Sequence, residues 1–393
     1  MKKYFLLAIL LVLIVACTNQ PSLNINQALD YCVAKVQKSM NSITDEKYPR
    51  NMENGQTSWN SKGVRSWTSG FWPGILWRAY EYSGDEAIRK QAERFTGPIQ
   101  IIANSKARNH DIGFMVFCSF GNGYRLTGSE EYKQIILAAA DTLATLFNPK
   151  VGTIHSWPGN KEYQHNIIID NMMNLELLFW ASKNGGKQYL YDIAVKHAET
   201  TMQYIVRPDY GTYHVGIFDS TDGHFIKGVT HQGYADDSQW ARGQAWGLYG
   251  FAMSYRETGK KEFLETSQKM ADYFIDRLPK DGIPYWDFDD PKIPDAPKDA
   301  SAAAIAASGM LELYQLSADA AAKTRYLNAA QALIKRLSST DYLSRDKNMA
   351  FLLHSTGHHP KNSEIDVSII YADYYFIEAS LRLKKIKEQN SLK

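Results

Sequence analysis

The chain repeats one hydrophobic rhythm. An apolar, aromatic-rich run of helical length ends in a glycine or polar turn, and a more charged amphipathic helix follows. The turns are Tyr82-Ser83-Gly84-Asp85, Leu126-Thr127-Gly128-Ser129, Lys183-Asn184-Gly185-Gly186 and Glu257-Thr258-Gly259-Lys260. The second helices open on Glu131-Tyr132, Gln188-Tyr189-Leu190, Glu262-Phe263-Leu264 and Arg325-Tyr326-Leu327. Six apolar runs begin near Ser69, Asp111, Asp170, Ser238, Asp299 and Asp366. Charged partners follow five of them, and residues 26–43 supply a sixth. A helix that is apolar all round is buried, whereas one with a single apolar stripe lies outside it. Six of each, with few alternating β-branched runs, predict an all-α (α/α)6 toroid. One domain would then span residues 25–393. The segments 201–237 and 279–299 are rich in Gly, Pro, His and aromatics, and are expected to be loops that carry function.

If the inner helices run parallel, their six N-termini meet at one mouth and their positive dipole ends favour an anion there. Asp and Ser at those starts are ordinary N-caps, each contributing about 1 kcal/mol. Capping suffices for Asp299 and Asp366. Asp111, in Asn109-His110-Asp111-Ile112-Gly113-Phe114, and Asp170, in Ile167-Ile168-Ile169-Asp170, sit instead among apolar neighbours. Burial and mutual repulsion would raise a pKa there and make a proton donor usable near neutral pH. Trp67, Phe71, Trp72, His110, His165, Trp240, Arg242 and Trp246 surround the expected mouth. Flat apolar faces with a few polar groups suit a sugar ring, and a carboxylated sugar suits the dipoles as well.

Composition narrows the field. Of 393 residues, 44% are hydrophobic, enough for a large core, and the net charge of +2 argues against a nucleic-acid partner. Lys2 and Lys3 precede an apolar run, Tyr4 to Ala16, that is too short to span a bilayer comfortably. It ends in Ile14-Val15-Ala16-Cys17, which resembles a bacterial lipobox. Residues 1–16 read as a lipoprotein signal peptide, Cys17 as the lipidated residue and 17–24 as that cysteine and its tether. The membrane is then met only through the lipid. Without an acidic run after Cys17, a periplasm-facing place in the cell envelope is expected. Cys32 and Cys118 make no disulfide framework, and Cys118 reads as a small core residue. No HExxH or paired-cysteine spacing exists, and Asp287-Phe288-Asp289-Asp290 lacks the spacing of a calcium loop. No metal or other cofactor is expected.

Four stretches carry a family resemblance: Ser66–Trp77 (SWTSGFWPGILW), Asn109–Met115 (NHDIGFM), Ile167–Ser182 (IIIDNMMNLELLFWAS) and Thr230–Gly250 (THQGYADDSQWARGQAWGLYG). Together they resemble the unsaturated glucuronyl hydrolases of glycoside hydrolase family 88, over about residues 25–385. Gly357–Ala379 (GHHPKNSEIDVSIIYADYYFIEA) resembles the family's closing inner helix. The resemblance implies an (α/α)6 barrel and an unusual reaction. The substrate is an oligosaccharide left by a polysaccharide lyase, ending in a 4,5-unsaturated uronic acid. Its C4=C5 bond is hydrated, the hemiketal opens, and the remaining sugar departs. On that resemblance, Asp170 matches the general acid/base and Asp111 the second carboxylate. Trp67, His110, His214, Gln232, Arg242 and Trp246 match substrate contacts, with Trp67 and Trp246 offering ring faces and Arg242 balancing the substrate carboxylate. Lys361 and Ser363, in the loop before the closing helix, could meet a sulfate. The related unsaturated rhamnogalacturonyl hydrolases tend to show Arg-Gly-Asn-Gly-Trp where this chain has Arg242-Gly243-Gln244-Ala245-Trp246. A non-catalytic glycan-binding lipoprotein would keep the tryptophans without the acid pair.

Overall fold

The computed structural model describes residues 23–43, 47–160 and 162–392; Cys17 and the leader lie outside them. Among the described residues, six outer helices alternate with six inner ones. The outer set is α1 (Ile25–Met40), α3 (Glu86–Thr96), α5 (Glu130–Ala144), α7 (Gln188–Tyr204), α9 (Lys261–Asp276) and α11 (Ala320–Leu337). The inner set is α2 (Phe71–Ser83), α4, α6 (Asn171–Lys183), α8 (Ala241–Thr258), α10 (Ala300–Leu316) and α12 (Ile370–Ser391). Within α4, a π-helical stretch, Gly113–Gly121, runs on into an α-helical one, Asn122–Thr127. Each inner helix packs on the next, and α12 packs on α2 to close the ring. The twofold hydrophobic grading follows this order. The first fourteen residues of α10, Ala300 to Leu313, are all buried, while α3 buries only Ile88, Ala92, Phe95 and Thr96.

Turn chemistry separates the layers. Gly84, Gly128 and Gly259 end α2, α4 and α8 in the left-handed region, where a Cβ would be strained. Asp85 and Ser129 then cap α3 and α5, and Asp319 caps α11.

The last inner start is not where the hydrophobic pattern puts it. Asp366 lies in the left-handed region (φ 54°), and its carboxylate accepts from His354 Nδ1 at 2.6 Å. The helix begins only at Ile370, after the short strand β8 (Ser368–Ile369). A long-range partner outcompetes the cap. Asp299 does cap α10, accepting from the Ser301 N–H at 3.0 Å.

The scarcity of alternating runs conceals three small sheets among the described residues, which brace the mouth. They are ordered β2-β1-β8, β3-β4 and β5-β6-β7, where β1 is Tyr48–Met52, β2 Asn60–Lys62, β3 Phe147–Asn148, β4 Thr153–Ile154, β5 His165–Ile168, β6 Val215–Phe218 and β7 Phe225–Val229. The segment 201–237 is therefore the end of α7 and a hairpin rather than loop throughout. Away from the mouth, buried ion pairs join the inner helices: Arg78–Glu378 at 2.8 Å, Arg382–Glu312 at 2.8 Å and Arg256–Glu312 at 2.5 Å. Removing one partner of such a pair strands a buried charge.

Candidate active site

Asp170 lies two residues past the end of β5. Ile167 in that strand and Ile169 just after it belong to the main core, and Ile168 joins a smaller cluster with Val215, Ile217 and Val229. Alternation of this kind is what a strand buried on both faces requires. The β5–β6 register pairs Ile168 with Val215, and the Ile169 N–H donates to the His214 carbonyl at 3.0 Å. His214 is thereby placed beside Asp170, and its Nε2 lies 3.8 Å from Asp170 Oδ2. Asp170 stands at the N-cap position of α6, yet its side chain makes no capping bond. Its Oδ2 is buried with no hydrogen-bond partner among the described residues. The capping explanation does not hold for this acid.

The tautomer of His214 follows from its neighbours. Its Nδ1 accepts from the His231 and Gln232 N–H groups, both at 3.1 Å, so the proton sits on Nε2 and faces Asp170. His110 repeats the arrangement. The Asn174 Oδ1 accepts from the Phe114 N–H at 2.9 Å, which orients the amide so that its Nδ2 donates to His110 Nδ1 at 3.4 Å. The His110 proton is then on Nε2, 3.5 Å from Asp111 Oδ1. Asn174 can reach across because α4 and α6 touch: a Cβ on Gly113 would come within 2.7 Å of the Asn174 Cα. Two carboxyl groups, each met by a neutral imidazole N–H, result.

Burial sets the charge state. It raises Asp170 to about 7, helped by repulsion from Asp111 and opposed by Arg242 and by the indole N–H of Trp246. That indole N–H lies near Asp170 without closing a hydrogen bond. Burial likewise raises Asp111 to about 7, with Arg50 opposing. Both acids shift, where the sequence pattern requires only one. Burial pushes His110 down to about 3 and His214 well below its ordinary value, so both rings stay neutral.

The other expected site residues divide. Trp67 is half-buried against Phe71, Phe114 and Tyr371 and keeps part of its ring open. Trp246 is fully buried between Phe114 and Tyr375, so it cannot offer a ring face; only its N–H edge bears on the site. Arg242 is 2% exposed and ion-paired with Asp299 at 2.6 Å, and it donates to the Thr356 and Gly357 carbonyls. Its charge is largely balanced inside the protein, rather than held free for a carboxylate. Gln232 donates to the Gly357 carbonyl at 2.8 Å and ties two mouth loops together. Burial lowers the pKa values of His231 and His358, and Lys361 lies near enough to lower both further. Ser363 is exposed, its backbone paired with His358. Asp287 accepts from the Tyr234 N–H, the Ser238 hydroxyl and the Asp289 N–H, which makes it a loop tie.

Arg50, Glu364 and Trp157 join the site without being singled out by the sequence pattern, and His231 and His358 join it as well. Arg50 forms a forked pair with Glu364, at 2.6 and 2.8 Å, and lies over the Trp67 ring at 5.7 Å. Trp157 approaches both His214 and His231, and His231 approaches His358 at 4.7 Å between ring centres. Both ring nitrogens of His358 are buried and unpartnered among the described residues. Glu364 and His358 fall within the closing stretch Gly357–Ala379; the pairing with Arg50 spans too much sequence for any local signal. Among the described residues one group has metal-ligand spacing, Asp219, Asp222 and His224, at the β6–β7 turn. Its carboxylates already accept from Thr221 and His224, and it sits at the far end of the hairpin from His214.

Comparison with known proteins identifies the family. The model of Glycosyl Hydrolase Family 88 matches residues 32–379. An unsaturated glucuronyl hydrolase of Formosa agariphila is 42% identical over 370 residues, covering 92% of this chain and 91% of that protein. An unsaturated chondroitin disaccharide hydrolase of Streptococcus pyogenes is 35% identical, covering 92% of each. A crystal structure of an unsaturated glucuronyl hydrolase specific for heparin superposes with a TM-score of 0.88 at 40% identity, over 93% of this chain and 98% of that one. The unsaturated glucuronyl hydrolase of Bacillus sp. GL1 also reaches 0.88, at 35% identity over 92% and 97%. The toroid, its acid-bearing mouth and matches of this length together place the chain in glycosyl hydrolase family 88, as a glycoside hydrolase.

Proposed function

We propose that this enzyme removes a 4,5-unsaturated uronic acid from the non-reducing end of glycosaminoglycan-type oligosaccharides, by hydrating the C4=C5 bond. The carrying observation is Asp170: a buried carboxyl group with a free oxygen and a pKa raised to about 7, available to donate a proton near neutrality. The protonated acid delivers its proton to C4, and positive charge develops at C5 beside the ring oxygen. The resulting carboxylate takes a proton from the water that adds at C5, so Asp170 ends as it began. The C5 hemiketal opens, and the sugar on C1 leaves without attack on C1. This differs from the acid and nucleophile that flank an anomeric carbon in most glycosidases. Asp111 raises the Asp170 pKa by repulsion and helps hold the substrate, while the His110 and His214 N–H groups face the two carboxyl groups and orient them. Trp67 supplies the open ring face. The named relatives act on glucuronyl and chondroitin substrates, which favours a glycosaminoglycan fragment over a pectic one.

The test is a panel of lyase-generated disaccharides from heparin, chondroitin, hyaluronan and rhamnogalacturonan, followed by loss of ultraviolet absorbance. Turnover of the first three over the last supports the reading; turnover of the pectic fragment alone sinks it. The same assay reads the acid pair against pH. The proton to be donated is present below the raised pKa and lost above it. We therefore expect kcat/KM to fall as pH rises through about 7, with no comparable fall between pH 5 and 6. A plateau from pH 6 to 9 would remove Asp170 from the donor role.

We also infer a lipid on Cys17, from Ile14-Val15-Ala16-Cys17, which would hold the enzyme at the cell envelope facing the periplasm. Mass spectrometry of the native N-terminal peptide is expected to find a diacylglyceryl cysteine as its first residue. An unmodified peptide beginning at Thr18 or beyond would refute it.

A further inference from the structure

A groove of about 1240 Å³ runs along the outer wall between α1, α11 and the loops at 280–282 and 338–346. No residue of it belongs to the site described above. Its walls carry Lys35, Lys38, Lys280, Lys335, Arg336 and Arg345, against only Asp281 and Asp346. Asp281 pairs outside the groove with Lys298 at 3.0 Å, Asp346 stands 3.7 Å from Lys38 of the groove, a highly exposed pair of little worth, and Arg336 pairs with Asp341 at 2.6 Å. Lys280, Lys335 and Arg345 form no ion pair among the described residues. Lys38 lies in the last turn of α1, and Lys335 and Arg336 in that of α11. Outer helices run against inner ones, so these ends sit at the level of the mouth where the inner helices start. Cations at a helix C-terminus also suit its dipole. That accounts for Lys38, Lys335 and Arg336, but not for Lys280 or Arg345, which lie on loops.

Arg345 is the informative residue. It holds φ at 46°, a left-handed conformation that costs any residue but glycine on the order of 1 kcal/mol. Its backbone is pinned there from both sides by α1. The Arg345 N–H donates to the Tyr31 hydroxyl at 3.0 Å, and the buried Lys35 ammonium donates to the Arg345 carbonyl. Burial lowers Lys35 to about 8, so this clamp is itself costly. Glycine would fill the position with less strain, yet the chain holds a long, exposed cation there. Strain maintained by its surroundings commonly marks a functional position.

We propose that this groove is a secondary binding site for an anionic polysaccharide chain, sulfated or uronate-bearing, with Arg345, Lys280 and Lys335 as its charged contacts. A recessed channel with cations on facing walls fits an extended polyanion better than the flat surface of a membrane. The site would hold the enzyme on the polymer from which its short substrates are cut.

The probe is a saturated heparin oligosaccharide, which has no C4=C5 bond, bound to the full chain carrying Cys17→Ser so that no lipid contributes. Arg345→Gly is expected to weaken binding at least tenfold while leaving Tm equal or higher, because the strain is relieved. A residue serving only the fold would lower Tm. Lys280→Glu with Lys335→Glu is expected to weaken binding likewise and to flatten its salt dependence, with kcat/KM on an unsaturated disaccharide unchanged. If Arg345→Gly fails to fold, the double variant decides by the same readouts. Parent-like affinity in these variants overturns the proposal. So does a parent chain that ignores the oligosaccharide and binds phosphatidylglycerol vesicles through these cations. The binding readout stands whatever reaction the mouth performs.

Discussion

Asp170→Asn is expected to lower turnover by about 10²–10⁴-fold, the usual span for a lost general acid–base group, with substrate binding retained. Asparagine keeps the shape of the side chain and removes only the transferable proton. The same substitution should make the protein more stable. In the unfolded chain the carboxyl titrates near 3.8; in the folded one, at about 7. Below about pH 4 both forms are protonated and the full stability is present. Between the two values the unfolded chain ionises while the folded one holds its proton, so stability falls as pH rises. Above about 7 the loss is complete and amounts to as much as about 4 kcal/mol. The asparagine variant escapes that loss. Its melting temperature should exceed the parent's at pH 8 and converge on it towards pH 4. Activity lost together with stability at every pH would mark Asp170 as a structural residue. Near-parent turnover would return it to the status of a helix start.

This opposition between activity and stability is what makes the acid legible in the amino-acid sequence. An ionisable residue where the chain enters an apolar run breaks the local rule, and such breaks concentrate at functional sites. The alternation of apolar and charged helices is readable for a similar reason: helical periodicity is a local property, repeated here six times. What cannot be read depends on residues that meet only through the fold. Arg50 and Glu364 are brought together where β1 pairs with β8. A lone Arg242 at the mouth suggests an anion from the substrate, but Asp299, from the next inner helix, supplies an internal one. Trp246 suggests a platform, yet on an inner helix packed by Phe114 and Tyr375 its face has no way out. Asn174 looks like one polar position in an apolar helix; its bonds to Phe114 and His110 fix a tautomer that no sequence pattern encodes. The π-helical stretch of α4 is hidden likewise, because nine apolar and small residues read as ordinary buried helix.

The bond attacked separates hydration from any ordinary glycoside cleavage. If Asp170 donates to C4, the proton it carries has exchanged with solvent, and the product formed in heavy water must hold deuterium at C4. Water adds at C5, so heavy oxygen from solvent first appears there. The C1–O bond to the departing sugar is never displaced directly, and the released sugar keeps its own oxygen. An acid-plus-nucleophile mechanism would leave C4 unlabelled and put solvent oxygen on C1. The arrangement around Asp170 favours the first course. The other carboxyl group, Asp111, is raised to about 7 by burial as well, so near neutrality only part of it is ionised to act as a nucleophile. His214 presents an N–H to Asp170, not a lone pair, since its Nδ1 is committed to two backbone donors. It can orient the acid but cannot take its proton. NMR of the product made in heavy water reads the outcome directly: deuterium at C4 is expected in every turnover, and a product with only hydrogen there would exclude hydration even if the glycoside is cleaved.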